Sequence, residues 1–351
     1  MSKVLRKERC IVDFKNKTIL NNKNIPLLQV KNLKVYFYLE EGILKAVDDV
    51  SFDIGRKKVL GIVGESGCGK SVTAQSILRI VPHPGRTVGG EILLHQNGNL
   101  VDLAELDPSG RDIRAIRGKE ITMIFQEPMT SLSPVHTIGN QIMEAVLLHR
   151  DMSQSEAREL TLEMLYKVGI SNPHRRIDEY SYQLSGGLRQ RAMIAMALSC
   201  NPSLLIADEP TTALDVTVQA QILELMKGLQ REFGMSIIYI THNLGVIAEI
   251  SDEVLVMYLG KVVEHANTDE IFHNPLHPYT IGLLKSIPKV GKKARTRLEA
   301  IKGTVPLPLD LPRGCRFYQR CQEAKKGICN VDSPSLIEVT KGHRVSCFLY
   351  K

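Results

Sequence analysis

The run Gly64-Glu65-Ser66-Gly67-Cys68-Gly69-Lys70-Ser71 has residue types and spacing suited to holding phosphate. It fits the pattern G-x-x-x-x-G-K-[ST], in which glycines let backbone N–H groups turn inward around phosphate oxygens. A helix starting at its end would aim its positive pole at the same place. Lys70 is then placed to hold the β- and γ-phosphates, and the Ser71 hydroxyl to ligate Mg²⁺. A second candidate lies 138 residues beyond Lys70, where the apolar run Leu204–Ala207 ends in Asp208 and Glu209. Alone, two carboxylates after a strand are ordinary loop residues. Beside a phosphate loop, Asp208 is placed to hold Mg²⁺ through its water shell, and Glu209 to polarise an attacking water as general base. A third candidate is Leu184-Ser185-Gly186-Gly187, just before the helical run Ala192–Leu198. Ser185 and the glycines would leave free N–H groups at a helix N-terminus, another anion site. One phosphate loop does not need a second anion site on the same nucleotide.

These residues need elements to position them. Val59–Val63 is a short apolar run before the glycine-rich loop, and Val72–Ile80 after it has helical spacing: strand, loop, helix. Leu28–Val30 and Val35–Tyr38 are strand-like, as is Glu91–Leu94, with a turn region between Pro82 and Gly90. Apolar residues at three- and four-residue spacing predict helices from Ile138 to about Val168. Leu204–Ala207 and Ile237–Ile240 are continuous apolar runs, as in central parallel strands. Beyond about Ile271 the text becomes loop-rich, punctuated by Pro275, Pro278, Pro288, Pro306, Pro308 and Pro312.

The chain has 351 residues, 43% hydrophobic and 24% charged, as in a globular protein with one large domain and an appendage. The net charge of +7 permits an anionic membrane face, a nucleic acid or a nucleotide as partner and selects none. No run approaches the roughly 20 apolar residues of a membrane-spanning helix. Met1–Asn24 carries Lys and Arg without the apolar stretch of a secretory signal. A cytoplasmic chain with a polar tail is expected. In that compartment the seven cysteines are not expected to form disulfides. Cys315, Cys321, Cys329 and Cys347 cluster near the end, separated by five, seven and seventeen residues. Four thiolates within reach can close a tetrahedral zinc site or hold an iron–sulfur cluster, although there is no C-x-x-C pair. Unligated thiols are the third reading.

The region around Ser185 resembles the signature of the ATP-binding-cassette (ABC) family, in which that motif completes the nucleotide site of the opposite subunit. The likeness runs in the family's order across about residues 28–265. Gln126 in Phe125-Gln126-Glu127-Pro128 resembles its Q-loop, Ala213-Leu214-Asp215 its D-loop, and His242 in Ile240-Thr241-His242 its switch histidine. Phe37 falls where the family stacks an aromatic on adenine. The resemblance implies an α/β P-loop NTPase core (28–270) with a parallel sheet, an antiparallel β subdomain and a helical subdomain at about 132–195. It implies a polar tail at 1–27 and a small loop-rich, cysteine-bearing C-terminal domain at 271–351. It also implies a head-to-tail dimer with ATP sandwiched between cassettes. Catalytic roles fall on Glu209, His242, Gln126 and Lys70. Phe37, Gly64, Ser66, Gly67, Gly69, Lys70, Ser71, Ser185, Gly187 and Asp215 would bind nucleotide, and Ser71, Gln126 and Asp208 would serve Mg²⁺. Asn243 and Glu127 stand where Asp is more usual; neither carries assigned chemistry. Cys68 would contribute backbone.

His277-Pro278-Tyr279-Thr280 and Gly314-Cys315-Arg316-Phe317 resemble the C-terminal extension of the oligopeptide and dipeptide importers, a branch with some members that carry nickel chelates or oligosaccharides. That resemblance implies a [4Fe–4S] cluster on Cys315, Cys321, Cys329 and Cys347, with a structural role. It also implies a second ATP-binding subunit, two transmembrane permease subunits, an extracytoplasmic solute-binding protein and a place at the cytoplasmic membrane face. Two other readings are open. Cassette ATPases of DNA repair and translation use nucleic acid, but usually carry a coiled-coil insert or a second cassette, and neither is visible here. A non-enzymatic metal-binding or regulatory module would require Glu209 or His242 to be absent.

Overall fold

In a computed structural model of the chain, residues 25–96, 98–126, 131–212, 214–287, 301–306, 309 and 311–351 are described. Residues 1–24 of the expected tail, Cys10 among them, lie outside these, as do Glu127–Thr130, Ala213, Pro288 and Pro308.

The strands are β1 (Leu28–Leu39), β2 (Gly42–Ile54), β3 (Val59–Val63), β4 (Gly85–Gln96), β5 (Asn99–Asp102), β6 (Ile121–Ile124), β7 (Leu204–Asp208), β8 (Ser236–Ile240), β9 (Glu253–Tyr258), β10 (Lys261–Asn267), β11 (Ile337–Thr340) and β12 (His343–Val345). The helices are α1 (Lys70–Ile77), α2 (Arg111–Ile116), α3 (Ile138–His149), α4 (Gln154–Lys167), α5 (Pro173–Arg176), α6 (Gly186–Leu198), α7 (Val216–Phe233), α8 (Leu244–Ile250), α9 (Thr268–His273) and α10 (Pro278–Lys285). A four-stranded antiparallel sheet has the order β2-β1-β4-β5. The central sheet has eight strands, β11-β12-β10-β9-β3-β8-β7-β6, parallel from β9 through β6 and antiparallel from β9 to β11.

Every residue of β3, β7 and β8 is buried, which is why these strands read as unbroken apolar runs. Alternate side chains divide between two cores, as the two-residue period of a strand requires. Val63, Leu205, Ala207, Ile237 and Tyr239 face the helices α3, α4, α6, α7 and α8. Ile62, Leu204, Ile206, Ile238 and Ile240 face α1 and the antiparallel sheet. The central sheet is thus the middle of three layers.

Helix starts follow local sequence. Ser153 and Glu156 form a reciprocal capping box on α4, and Thr137 caps α3 by accepting from Asn140 N–H. Asp215 caps α7, which ends at Gly234 with φ +63°. The strand text around Pro82–Gly90 departs from expectation: β4 already begins at Gly85 and runs through the glycines. The β1–β4 register shifts between Lys31 and Val35. Gly90, with φ +96°, lies so close to β1 that a Cβ would stand 2.6 Å from the Asn32 carbonyl oxygen. A bulge, not a turn, needs the glycine here.

The C-terminal region is tied to the cassette by a buried carboxylate. Glu264 of β10, 0% exposed, accepts from the N–H groups of Leu276 (2.7 Å) and His277 (2.9 Å) and lies 2.8 Å from His343 Nε2 of β12. His277 caps α10, its Nδ1 accepting from Tyr279 N–H at 3.0 Å. Complete burial pushes the His277 pKa down to about 3, so the ring is neutral. Because the folded value lies below the unfolded one, the unfolded chain takes up the proton first. Stability is therefore full above about pH 6.5 and lost as pH falls from there towards 3. Urea unfolding should show wild type losing about 1 kcal/mol more than His277→Asn between pH 6.5 and 5.5. Parallel pH profiles for the two chains would refute this reading of His277.

Candidate functional site

Three adjacent parallel strands end at one place. β3 delivers the loop 64–69, β7 delivers Asp208 and Glu209, and β8 delivers His242 two residues past its end. This is the carboxyl edge of an open α/β sheet, where such folds hold their ligands.

The loop turns directly into α1, whose N-cap Gly69 has φ +97°. A Cβ on Gly69 would lie 2.2 Å from the Ala46 carbonyl oxygen of β2, so only glycine lets the loop approach β2 this closely. Buried Lys70 curls back over the loop, its Nζ donating to the Gly64 (2.8 Å) and Glu65 (3.1 Å) carbonyls and lying 3.7 Å from Cys68 Sγ. Ser71 Oγ donates to Asp208 Oδ1 at 3.1 Å, so the two groups expected to share a cation are neighbours. Burial, helped by the Glu209 charge, raises the Asp208 pKa despite the Ser71 hydrogen bond.

Glu209 is the hub of the site. Thr212 Oγ1 and Gln126 Nε2 donate to its Oε2 at 3.0 and 3.2 Å, and His242 Nδ1 lies 3.2 Å from Oε1. Burial alone would raise its pKa, but His242, Thr212 and the Lys70 charge outweigh that and lower it. Its backbone is in the left-handed region, φ +47°, while its N–H is held by the Ile240 carbonyl of β8 at 2.9 Å. A non-glycine residue held there is strained, and such strain concentrates at functional sites. Thr212, three residues beyond Glu209 in sequence, is a contact that residue types alone did not assign.

Phe37, Ser66, Gly67, Gly69, Lys70, Ser71, Gln126 and Glu209 line one cavity of about 420 Å³. Cys68 and Val72 line it too, and Leu39, Leu44, Lys45, Ala46, Leu259 and Gly260 complete it, these six not singled out from sequence because they come from the β1–β2 hairpin and the β9–β10 turn. Tyr36, beside Phe37, is engaged elsewhere, its hydroxyl donating to Asp48 at 2.8 Å. Gly64 is buried at the loop's base. Ser185, Gly187 and Asp215 do not line the cavity. Ser185 caps α6 by accepting from Leu188 N–H, and Gly187 lies against Val218 on α7, the helix that Asp215 caps. Ser185 and Asp215 are exposed.

The four C-terminal cysteines are brought together. Cys315, Cys321, Cys329 and Cys347 line one small space of about 20 Å³ with His277 and Phe348. Cys315 N–H donates to the Cys329 carbonyl at 2.7 Å. Burial, then the neighbouring thiols, pushes the Cys315 pKa up to about 11, and burial also raises Cys321 and Cys347. Among the described residues, no three His, Cys, Asp or Glu side chains are arranged to hold a metal ion. The donor set is that of a soft-metal site; the space between the thiols is that of a single atom.

Comparison with known proteins agrees with both halves of the chain. Residues 47–212 match the ABC transporter family, and residues 263–329 match the oligopeptide/dipeptide transporter C-terminal region. The chain is 51% identical over 326 residues to the oligopeptide transport ATP-binding protein AppD of Bacillus subtilis, covering 93% of this chain and 97% of that protein. It is 50% identical to the probable peptide ABC transporter ATP-binding protein y4tR of Sinorhizobium fredii, over 92% of this chain and 94% of that one. Among solved structures it resembles the ATP-binding cassette MJ0796 in a dimeric post-hydrolysis state bound to ADP and Pi, with TM-score 0.60 and 27% identity, covering 69% of this chain and 98% of that one. It also resembles cbiO1 of Clostridium perfringens, part of the ABC transporter complex cbiONQ, with TM-score 0.58 and 26% identity over 71% and 91% of the two chains.

Left-handed backbone costs a side chain about 1–2 kcal/mol, before the clash with Ala46 is counted. Gly69→Ala should therefore weaken binding of a fluorescent ATP analogue with Mg²⁺ at least about tenfold. Unchanged affinity would mean that the loop does not need its approach to β2.

Proposed function

The chain belongs to the ABC transporter family of ATP-binding proteins, and from that premise we propose that it drives peptide uptake by hydrolysing ATP on the cavity described above. The observation that carries this is Glu209. A carboxylate kept ionised by His242 and Thr212 stands beside a phosphate-binding loop, in a chain whose C-terminal part matches the peptide-transporter region.

In this mechanism Phe37 offers a face to the adenine, and the loop N–H groups from Ser66 to Ser71 bind the phosphates. Lys70 leaves the Gly64 and Glu65 carbonyls to pair with the β- and γ-phosphates. Ser71, Asp208 and Gln126 would hold Mg²⁺, which supplies positive charge against the phosphates. A donor set this small is usual for that ion, which takes its remaining ligands from water and substrate. Glu209 accepts the proton of the attacking water, and His242 holds the carboxylate in place and in its ionised form. Ser185 and Gly187 act on the nucleotide of a second cassette. The exposure of Ser185, and the absence of both from the chain's own cavity, support that role.

The partners follow from the same reading: a second ATP-binding subunit, two transmembrane permease subunits and an extracytoplasmic solute-binding protein, with this chain at the cytoplasmic face of the membrane. Among the described residues no helix is long and apolar enough to cross a bilayer, which accords with a peripheral place. The cargo is an oligopeptide or dipeptide, or a related solute such as a nickel chelate or oligosaccharide. Cys315, Cys321, Cys329 and Cys347 would hold a [4Fe–4S] cluster. Their convergence on one space supports this, and the space would have to widen to admit a cluster.

Glu209→Gln should keep nucleotide binding but lose at least about a hundredfold in phosphate release, the usual scale for removing a general base. Hydrolysis that survives the substitution would overturn the assignment. Thr212→Val removes one of the hydrogen bonds that lower the Glu209 pKa. The acid limb of its rate profile should therefore move to higher pH than wild type, and an unmoved limb would separate Thr212 from the base. Anaerobically purified chain should contain iron and acid-labile sulfide in equal amounts, both lost in Cys329→Ser. Zinc without sulfide would replace the cluster with a simple metal site.

A further inference from the structure

The cysteine-bearing segment reaches the phosphate loop directly. Arg320, which immediately precedes Cys321, has a side chain only 5% exposed and clamps Glu65 with both guanidinium nitrogens, Nη1 to Oε2 at 2.6 Å and Nη2 to Oε1 at 3.0 Å. Its Nε donates to the Lys302 carbonyl at 3.2 Å, and Nη1 also reaches the Tyr258 hydroxyl at 3.4 Å. Planar two-point pairing of this kind fixes geometry as well as charge.

Glu65 is held by its main chain as well. Its N–H donates to the Tyr279 hydroxyl at 2.9 Å, and its carbonyl accepts from Lys70 Nζ. Tyr258, Tyr279 and Phe317 pack with ring centres 4.7 to 5.4 Å apart, forming the aromatic seat of this contact. Arg316, beside Cys315, makes a parallel attachment to Asp48 on β2 and to the Leu259 carbonyl in the β9–β10 turn. Two arginines flanking the first two cysteines therefore attach this segment to the 64–69 loop and to the β9–β10 turn.

Nothing in the ATPase chemistry calls for a carboxylate at position 65. Unpaired, it would stand as a negative charge on the very loop that must receive phosphates. We propose that Arg320 is a positioning residue for nucleotide binding: its fork holds the Glu65 carboxylate and cancels a charge that would otherwise repel the phosphates. The proposal rests on residues 64–71 being the phosphate-binding loop. It makes the folded state of the C-terminal segment a determinant of ATP affinity, since Arg320 is in place only when that segment is.

The test uses the full chain and titration with a fluorescent ribose-labelled ATP and Mg²⁺, alongside steady-state hydrolysis. Arg320→Met should weaken binding tenfold or more and raise KM while leaving kcat within about twofold. Arg320→Lys, which keeps the charge without the fork, should fall between. Glu65→Gln, which removes the carboxylate, should bind more tightly than Arg320→Met. Arg320→Met combined with Glu65→Gln should recover to within threefold, because the unpaired carboxylate is gone. Recovery separates a local charge effect from a damaged fold, since a second substitution does not repair a collapsed segment. Arg320→Met binding within twofold of wild type overturns the proposal, and so does a double variant as weak as Arg320→Met alone. A wild-type chain that fails to bind ATP, or a Lys70→Ala variant that binds as wild type, overturns the loop assignment itself and the clamp with it.

Discussion

Parallel hydrogen bonding of β8 to β3 on one side and β7 on the other is the constraint on which the remainder depends. The pairing sets Ile62 opposite Ile240 and Asp208 opposite Ile240, so three loops leave the sheet at one level. Each strand is too short and too apolar to hold a ligand itself. What they share is an end, and at that end the polypeptide must turn. Glycine turns the first loop, a left-handed Glu209 turns the second, and Asn243 caps the helix after the third. The polar groups at the three turns can satisfy each other only if the register is as it is. A shift of one residue would carry Asp208 to the other face of its strand.

Much of this was legible because it is local. A phosphate loop is specified by glycines within a few positions of a lysine, and central parallel strands announce themselves as apolar runs since both faces are covered. Caps at Ser185 and Asp215 likewise depend on residues three apart. The misread stretch at Gly85–Gly90 shows where local reading stops. Glycine there suggested a turn, whereas it answers the close passage of β1, some 58 residues away in sequence between Asn32 and Gly90. Arg320 and Arg316 were still less visible. Arg316 stands in a stretch that resembles the importer extension, but neither arginine's partner, 255 and 268 residues away, can be read from such a stretch. The cysteine cluster was legible in type, yet its convergence on one space is a property of the fold.

The C-terminal region is built into the core of the chain. Its hairpin continues the central sheet past β10, and its carboxylate partner Glu264 is sealed completely. A buried carboxylate needs its full set of donors, and Glu264 draws them from residues 276, 277 and 343. The region's aromatic seat and its two arginines then make contact with the 64–69 loop and the β9–β10 turn. Core and extension thus share one polar and apolar interior, which explains how a loop-rich segment with few regular elements keeps a defined shape.

That sharing bears on how the protein is made. β10 cannot pair on its outer edge, nor Glu264 find its last donor, before His343–Val345 has been synthesised. A nascent chain emerging from the ribosome that assembles β3, β7 and β8 carries an open sheet edge, and Glu264 lacks its last donor, until His343 has been added. Open edges invite pairing with the wrong chain. The interval between the two halves of this sheet is therefore when the newborn protein most needs protection by chaperones, and slow translation through that stretch would lengthen the exposure.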